Sequence, residues 1–198
     1  DNDDAEIDNE DDSGMGSMLQ NGKPVALKQG MMLSYGVHSV NIAATVGNAY
    51  LHRYKLNPGQ KIDFDEKKHS SLFEEVQQWF PFTDAPAGSA LLTSRIVSWI
   101  LREPEVKLVA LGGTVGADEN GNLIVDKITN NYNFSNGLKQ KNIASTSATI
   151  SLSSIENKAH PTIVTKSTLS GSAFKMSDFK ATNAAEQIDA SNLVYLSG

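Results

Sequence analysis

The chain has 198 residues, no cysteine, and 17 basic against 23 acidic residues, a formal net charge of -6. This length suits one domain, or one domain with a tail, and is enough to bury a real core. The missing cysteine excludes a disulfide scaffold, a thiolate zinc site, an iron–sulfur cluster and a Cys nucleophile.

Eight of the acidic residues fall in 1–12, DNDDAEIDNEDD, leaving 15 acidic against 17 basic residues over 13–198. The acidity therefore belongs to the amino-terminal stretch, which repels itself, buries little and is expected to be disordered alone. The DSGMGS run that follows reads as a linker. We expect residues 1–23 to form an acidic flexible arm and linker, and 24–198 a single β-rich domain. The arm reads as a solvated leader, a docking arm for a basic surface or a cation site. An EF-hand loop is unsupported, because its fifth and sixth positions fall on Ala5 and Glu6. The start at Asp1 fits cleavage from a precursor or a trimmed chain, and no signal peptide remains. No apolar run reaches 18 residues, so no transmembrane helix is expected.

Along the body, 25–64 is strand-like, with near-alternating apolar residues in VALKQGMML, GVHSVNIAATV and NAYLHRYKL. Asn57-Pro58-Gly59 then gives a turn. Leu72, Phe73, Val76, Trp79 and Phe80 share one helical stripe, with Ser71 and Glu74 at capping-box spacing and Pro81 as the stop. PFTDAPAG reads as a loop. SALLTSRIVSWILRE fits a second helix through Leu92, Ile96, Trp99 and Ile100, although its apolar run also suits a buried strand. VKLVALGGTV is a short apolar strand. ADENGN is turn chemistry, with Asn120-Gly121 as a hairpin signal, and NLIVDKIT runs back from it. IASTSATISL, TIVTKSTL, SAFKMSDFK and NLVYLS follow as strands, and their Ser and Thr content suits a sheet with one wet face. The pattern predicts a mainly β fold with one or two short helices, a β-sandwich or jelly-roll-like architecture.

No catalytic constellation stands out. The four histidines, His38, His52, His69 and His160, lack metal-ligand spacing; a pair made by His38 and His52 would need neighbouring strands. There is no GxSxG elbow. LGGTVG lacks the GK[ST] ending of a phosphate loop, and its glycines serve a strand that bends or approaches another backbone closely. Asp118, Asn120, Asn122 and Asp126 put Gly too early for an EF-hand. Asn133-Phe134-Ser135 fits a glycosylation acceptor and hints at a surface loop. Nucleic-acid contact is expected to be minor, since Arg53, Arg95 and Arg102 are the only arginines and the 14 lysines are scattered. No catalytic residue, metal or cofactor is predicted. The large apolar groups Trp79, Phe80, Phe82 and Trp99 read as core or as an interface anchor.

AYLHRYKLNPG followed by SSLFEEVQQW resembles the coat proteins of small icosahedral viruses, in which a strand ends in Leu-Asn-Pro-Gly and a short helix follows. Here these are Leu56-Asn57-Pro58-Gly59 and the helix near 71–80, within residues 49–80. The resemblance implies a jelly-roll fold and a non-enzymatic capsid subunit of a virion, partnered by copies of itself or sister subunits. Trp79, Phe80, Phe82 and Trp99 would then lie near the contacts. The alternative is a secreted or surface-anchored bacterial module that binds glycan or protein.

Overall fold

A computed structural model describes residues 19–20, 23–24, 26–101, 105–142, 145–156, 160–168 and 184–197. The acidic stretch 1–12 and the strand expected at SAFKMSDFK lie outside the described residues.

One sheet is wholly parallel. Its strands are β3 (Met32–Tyr35), β7 (Val109–Gly116), β8 (Ser135–Lys141) and β11 (Leu193–Leu196), in the order β11-β3-β7-β8. All eight residues of β7 are buried, as a strand covered on both faces requires. Helix α4 (Ser89–Leu101) packs against β3 and β7, and α5 (Glu119–Asn130) links β7 to its parallel neighbour β8. Such a parallel step needs a crossover, here a helix.

The other large sheet has the order β5-β10-β9-β4-β6 and mixes directions. It comprises β4 (Ser39–Val46), β5 (Lys61–Asp63), β6 (Phe82–Ala87), β9 (Ser147–Ser154) and β10 (Thr162–Lys166). Its chain also forms α1 (Asn48–Arg53), α2 (Glu66–His69) and α3 (Leu72–Trp79). The short strands β1 (Leu19–Gln20) and β2 (Lys23–Pro24) pair antiparallel, and α6 (Ala184–Ala190) precedes β11. A single apolar cluster spans both large sheets, from Val40, Ile42 and Ile150 to Leu91, Leu111, Ile124 and Ile128.

These pairings overturn the β-sandwich and jelly-roll expectation. Among the described residues five of the eight strand pairings are parallel, whereas jelly rolls are antiparallel double sheets. Six helices among the described residues replace the one or two expected. The stretch behind the coat-protein resemblance is not a strand ending in Leu-Asn-Pro-Gly but helix α1 followed by a turn. Leu56 donates to the Leu51 carbonyl at 2.9 Å and Lys55 to that of His52 at 3.0 Å, with Lys55 at φ +53. That is a Schellman ending, with Leu51 and Leu56 both buried.

The Asn120-Gly121 hairpin also fails. The Asp118 carboxylate accepts from the Gly121 N–H at 2.8 Å and so caps α5, while Ile124 and Ile128 are buried one turn apart. NLIVDKIT is therefore helix, and PFTDAPAG is mostly strand β6. The 72–79 helix forms, yet Ser71 makes no capping bond; its hydroxyl donates to Glu75 Oε1 at 3.1 Å. Along β4 and β9 the burial alternates, giving one apolar face and one lined by Ser39, Asn41, Thr149 and Ser151.

Candidate functional site

The parallel sheet sets where a site can form. The chain steps from β3 to β7 to β8 in one direction, and β11 lies on the opposite side of β3. Strand order thus reverses between β3 and β11, and open α/β sheets bind ligands outside the carboxyl ends of their strands at such a reversal.

Main chain crowds together there. Gly36 follows β3, and a Cβ on it would lie 2.2 Å from Ser197 Oγ and 2.9 Å from Ala90 Cβ. Ser197 N donates to the Tyr35 carbonyl at 2.9 Å, holding the end of β11 beside that of β3. The first turn of α4 arrives at the same place: Ser34 Oγ, from β3, donates to the Ala90 carbonyl at 3.0 Å, as does Ser94 Oγ at 2.7 Å. Gly88, just before α4, has φ +123, and a Cβ would sit 2.5 Å from the Val37 carbonyl oxygen. Gly113 has φ +139, with its would-be Cβ 2.5 Å from the Gly36 carbonyl oxygen and 2.9 Å from His38 Nε2. Only glycine serves at these two positions.

Residues 36–38 join the two large sheets, and His38 fixes that joint. It is fully buried, with Nε2 2.9 Å from the Gly112 carbonyl oxygen. A carbonyl only accepts, so Nε2 carries the proton. Nδ1 is left as a bare lone pair, with no partner among the described residues. Burial holds the His38 pKa below its ordinary value, and the bond to Gly112 opposes that only in part. β4 begins one residue later, so its polar face starts beside the carboxyl end of β3. Ser39 and Asn41 lie opposite Ser147 and Thr149 of β9, a row of hydroxyls and one amide.

Asp118 ties the second sheet to the end of β7. Besides Gly121, its carboxylate accepts from Thr146 N and Thr146 Oγ1, both at 2.7 Å, and Gly116 N donates to Thr146 Oγ1 at 2.9 Å. Burial pushes this carboxyl up, but the Thr146 and Gly121 bonds outweigh it and hold it below the usual carboxylate range. With both oxygens engaged, Asp118 acts as a brace.

The aromatic residues read from the sequence lie elsewhere. Trp79 is exposed, under the Arg53 guanidinium at 5.4 Å. Phe80 is half-buried, edge-on to Tyr50 at 4.8 Å. Phe82 is exposed on β6, and Trp99 is exposed on α4. His52 is exposed on α1 while His38 is buried in the joint, so they form no pair. Among the described residues no group of three His, Asp or Glu is placed to hold a metal. Sequence reasoning missed Gly36, Gly88, Asn41 and Ser197, which carry no motif. It considered His38 only as one half of a pair with His52.

No family model matches this chain. Several solved structures share its fold. The adenosine kinase of Trypanosoma brucei brucei is 16% identical with a TM-score of 0.75, covering 87% of this chain and 50% of that one. The adenosine kinase of Anopheles gambiae, in complex with P1,P4-di(adenosine-5) tetraphosphate, is 19% identical with a TM-score of 0.71, covering 86% and 48%. A probable sugar kinase from Rhizobium etli is 17% identical with a TM-score of 0.60, covering 87% and 47%. The chain thus spans about half the length of these kinases and has their ribokinase-like α/β fold. This overturns the resemblance to viral coat proteins, and with it the non-enzymatic capsid role and the virion location; the binding-module alternative loses its β-sandwich basis as well.

Proposed function

We propose that the chain forms the acceptor-binding part of a phosphotransferase that acts on a hydroxyl of a nucleoside or a sugar. The observation that carries this reading is the reversal of strand order between β3 and β11, in a fold shared with solved adenosine and sugar kinases. Phosphoryl transfer asks a protein mainly to position acceptor and donor and to stabilise charge. The strand ends here supply positioning groups: the polar face from Ser39 and Asn41 to Thr149, the Ser197 hydroxyl and the first turn of α4. Hydroxyls and a carboxamide both donate and accept, which suits a polyol ring.

Asp118 is committed to Thr146 and Gly121, and the described strand ends offer no lysine-bearing phosphate loop. A triphosphate cradle and a proton acceptor are therefore contributions we assign to parts of the enzyme beyond these residues.

Isothermal titration calorimetry of the chain with adenosine, ribose and ATP tests the reading. Saturable binding of a nucleoside or sugar, weakened about 10-fold or more by Asn41→Leu through loss of a polar partner, is expected. Absence of saturation up to about 10 mM of every nucleoside and sugar tried, with the protein folded, would overturn it.

A further inference from the structure

Helix α4 is apolar on two sides. Ala90, Leu91 and Ser94 are buried against the body of the protein. The opposite stripe holds Leu92, 58% exposed, Ile96 at 47%, Trp99 at 70% and Ile100 at 62%. Their spacing places all four on one helical surface. A surface helix normally turns charged and polar groups outward, and one that is hydrophobic all round is covered. The stripe's one charged side chain, Arg95, lies back over the Tyr132 ring at 4.8 Å. Alongside runs an apolar groove of about 720 Å³, walled by Leu92, Ile96, Trp99, Tyr132 and Phe134.

We propose that this face is an interface between two copies of the chain, related by a twofold axis, with Trp99 of each copy entering the groove of the other. Three features favour a second copy over another occupant. The projecting indole and the hollow share one face, which is what a self-complementary isologous contact needs. The four side chains present on the order of 500 Å² of largely apolar surface, at the top of what a monomer ordinarily leaves open. With the groove wall added, the face reaches about the 600 Å² per partner at the lower end of specific complexes. Among the described residues its single cation is turned onto Tyr132, so these residues offer an oppositely charged partner little and repel their own copy little. A twofold contact closes at two copies, so it builds no shell or filament. The proposal does not depend on the phosphotransferase reading.

Light scattering coupled to size exclusion, and sedimentation over about 5 to 200 μM, decide it. The expected result is a dimer, with Ile96→Arg and Trp99→Ala each raising the dissociation constant about 100-fold or more, as loss of a central anchor does. Both residues are exposed, and an unchanged far-ultraviolet dichroism and melting profile in dilute solution verifies that each variant is folded. With Trp79→Phe as background, Trp99 emission is expected to shift to the blue as concentration rises. A chain that stays monomeric at about 200 μM, or a dimer that survives both variants, overturns the proposal. So does a Trp99 already shielded from quencher in the monomer.

Discussion

Replacing His38 tests whether the joint between the sheets depends on a neutral, buried imidazole. His38→Ala removes the donor to the Gly112 carbonyl and leaves a void. An unsatisfied buried acceptor costs about 1–3 kcal/mol, and a cavity of this kind adds a similar amount, so a loss of about 3 kcal/mol is expected. The pH dependence is more diagnostic. Burial holds the native pKa of His38 below its ordinary 6.5, so under mildly acid conditions the unfolded chain takes up a proton that the native chain refuses. Stability is therefore unaffected by His38 above about pH 6.5 and falls as pH drops below it, with a limiting slope of about 1.4 kcal/mol per unit, until the native pKa is reached. Urea unfolding at several pH values from about 7.5 to 5 measures this in the wild type and in His38→Gln, which does not titrate. Other groups, including His69, titrate in both proteins, so the difference between the two curves isolates His38. The reasoning is refuted if the two curves run parallel, or if His38→Ala lies within about 0.5 kcal/mol of wild type.

Three further substitutions probe the frame of the fold. Gly113→Ala forces a Cβ to 2.5 Å from the Gly36 carbonyl oxygen at φ +139; a loss of about 3 kcal/mol or failure to fold is expected, read as a melting shift or insoluble expression. Asp118→Ala removes the acceptor of three hydrogen bonds and should cost about 2–4 kcal/mol in urea unfolding. The wild-type contribution of this depressed carboxyl is present at neutral pH and is lost as pH falls below its ordinary value near 3.8. Glu75→Gln takes the charge from a buried carboxylate that Arg53 meets at 2.9 Å and Ser71 at 3.1 Å. Chemical denaturation should show a loss of about 1–3 kcal/mol, less than Glu75→Ala produces.

Parts of the fold were legible because the signals are local. The stripe through Leu72, Val76 and Trp79 gave α3, the spacing of Leu92, Ile96 and Trp99 gave α4, near-alternation gave β4, and a Ser- and Thr-rich run gave β9. Helix α1 was hidden because a lysine occupies the left-handed position where glycine would announce a helix end, and because Tyr50, His52 and Tyr54 mimic strand alternation. Helix α5 was hidden because Asn120-Gly121 sits inside its first turn, where Asp118 makes the pair helical. Sheet direction lay beyond the sequence: β4 finds β9 more than 100 residues away, and no local pattern distinguishes a parallel from an antiparallel partner. The site at the strand-order reversal was invisible for a related reason. It brings main chain and glycines together with Ser39, Asn41, Thr149 and Ser197 from distant segments, where proximity matters and motif does not. A resemblance resting on Leu56-Asn57-Pro58-Gly59 described a turn that many folds share.

The pairing of β4 with β9 also bears on synthesis. β4 is complete at Val46, but its parallel partner ends at Ser154, so at roughly 5–20 residues per second a ribosome needs about 5–20 s to deliver it. Throughout that interval the edge of β4 that receives β9 has no strand beside it. The nascent polypeptide thus offers a sticky strand to chaperones and to neighbours on the same message, and slower translation before residue 147 lengthens the exposure.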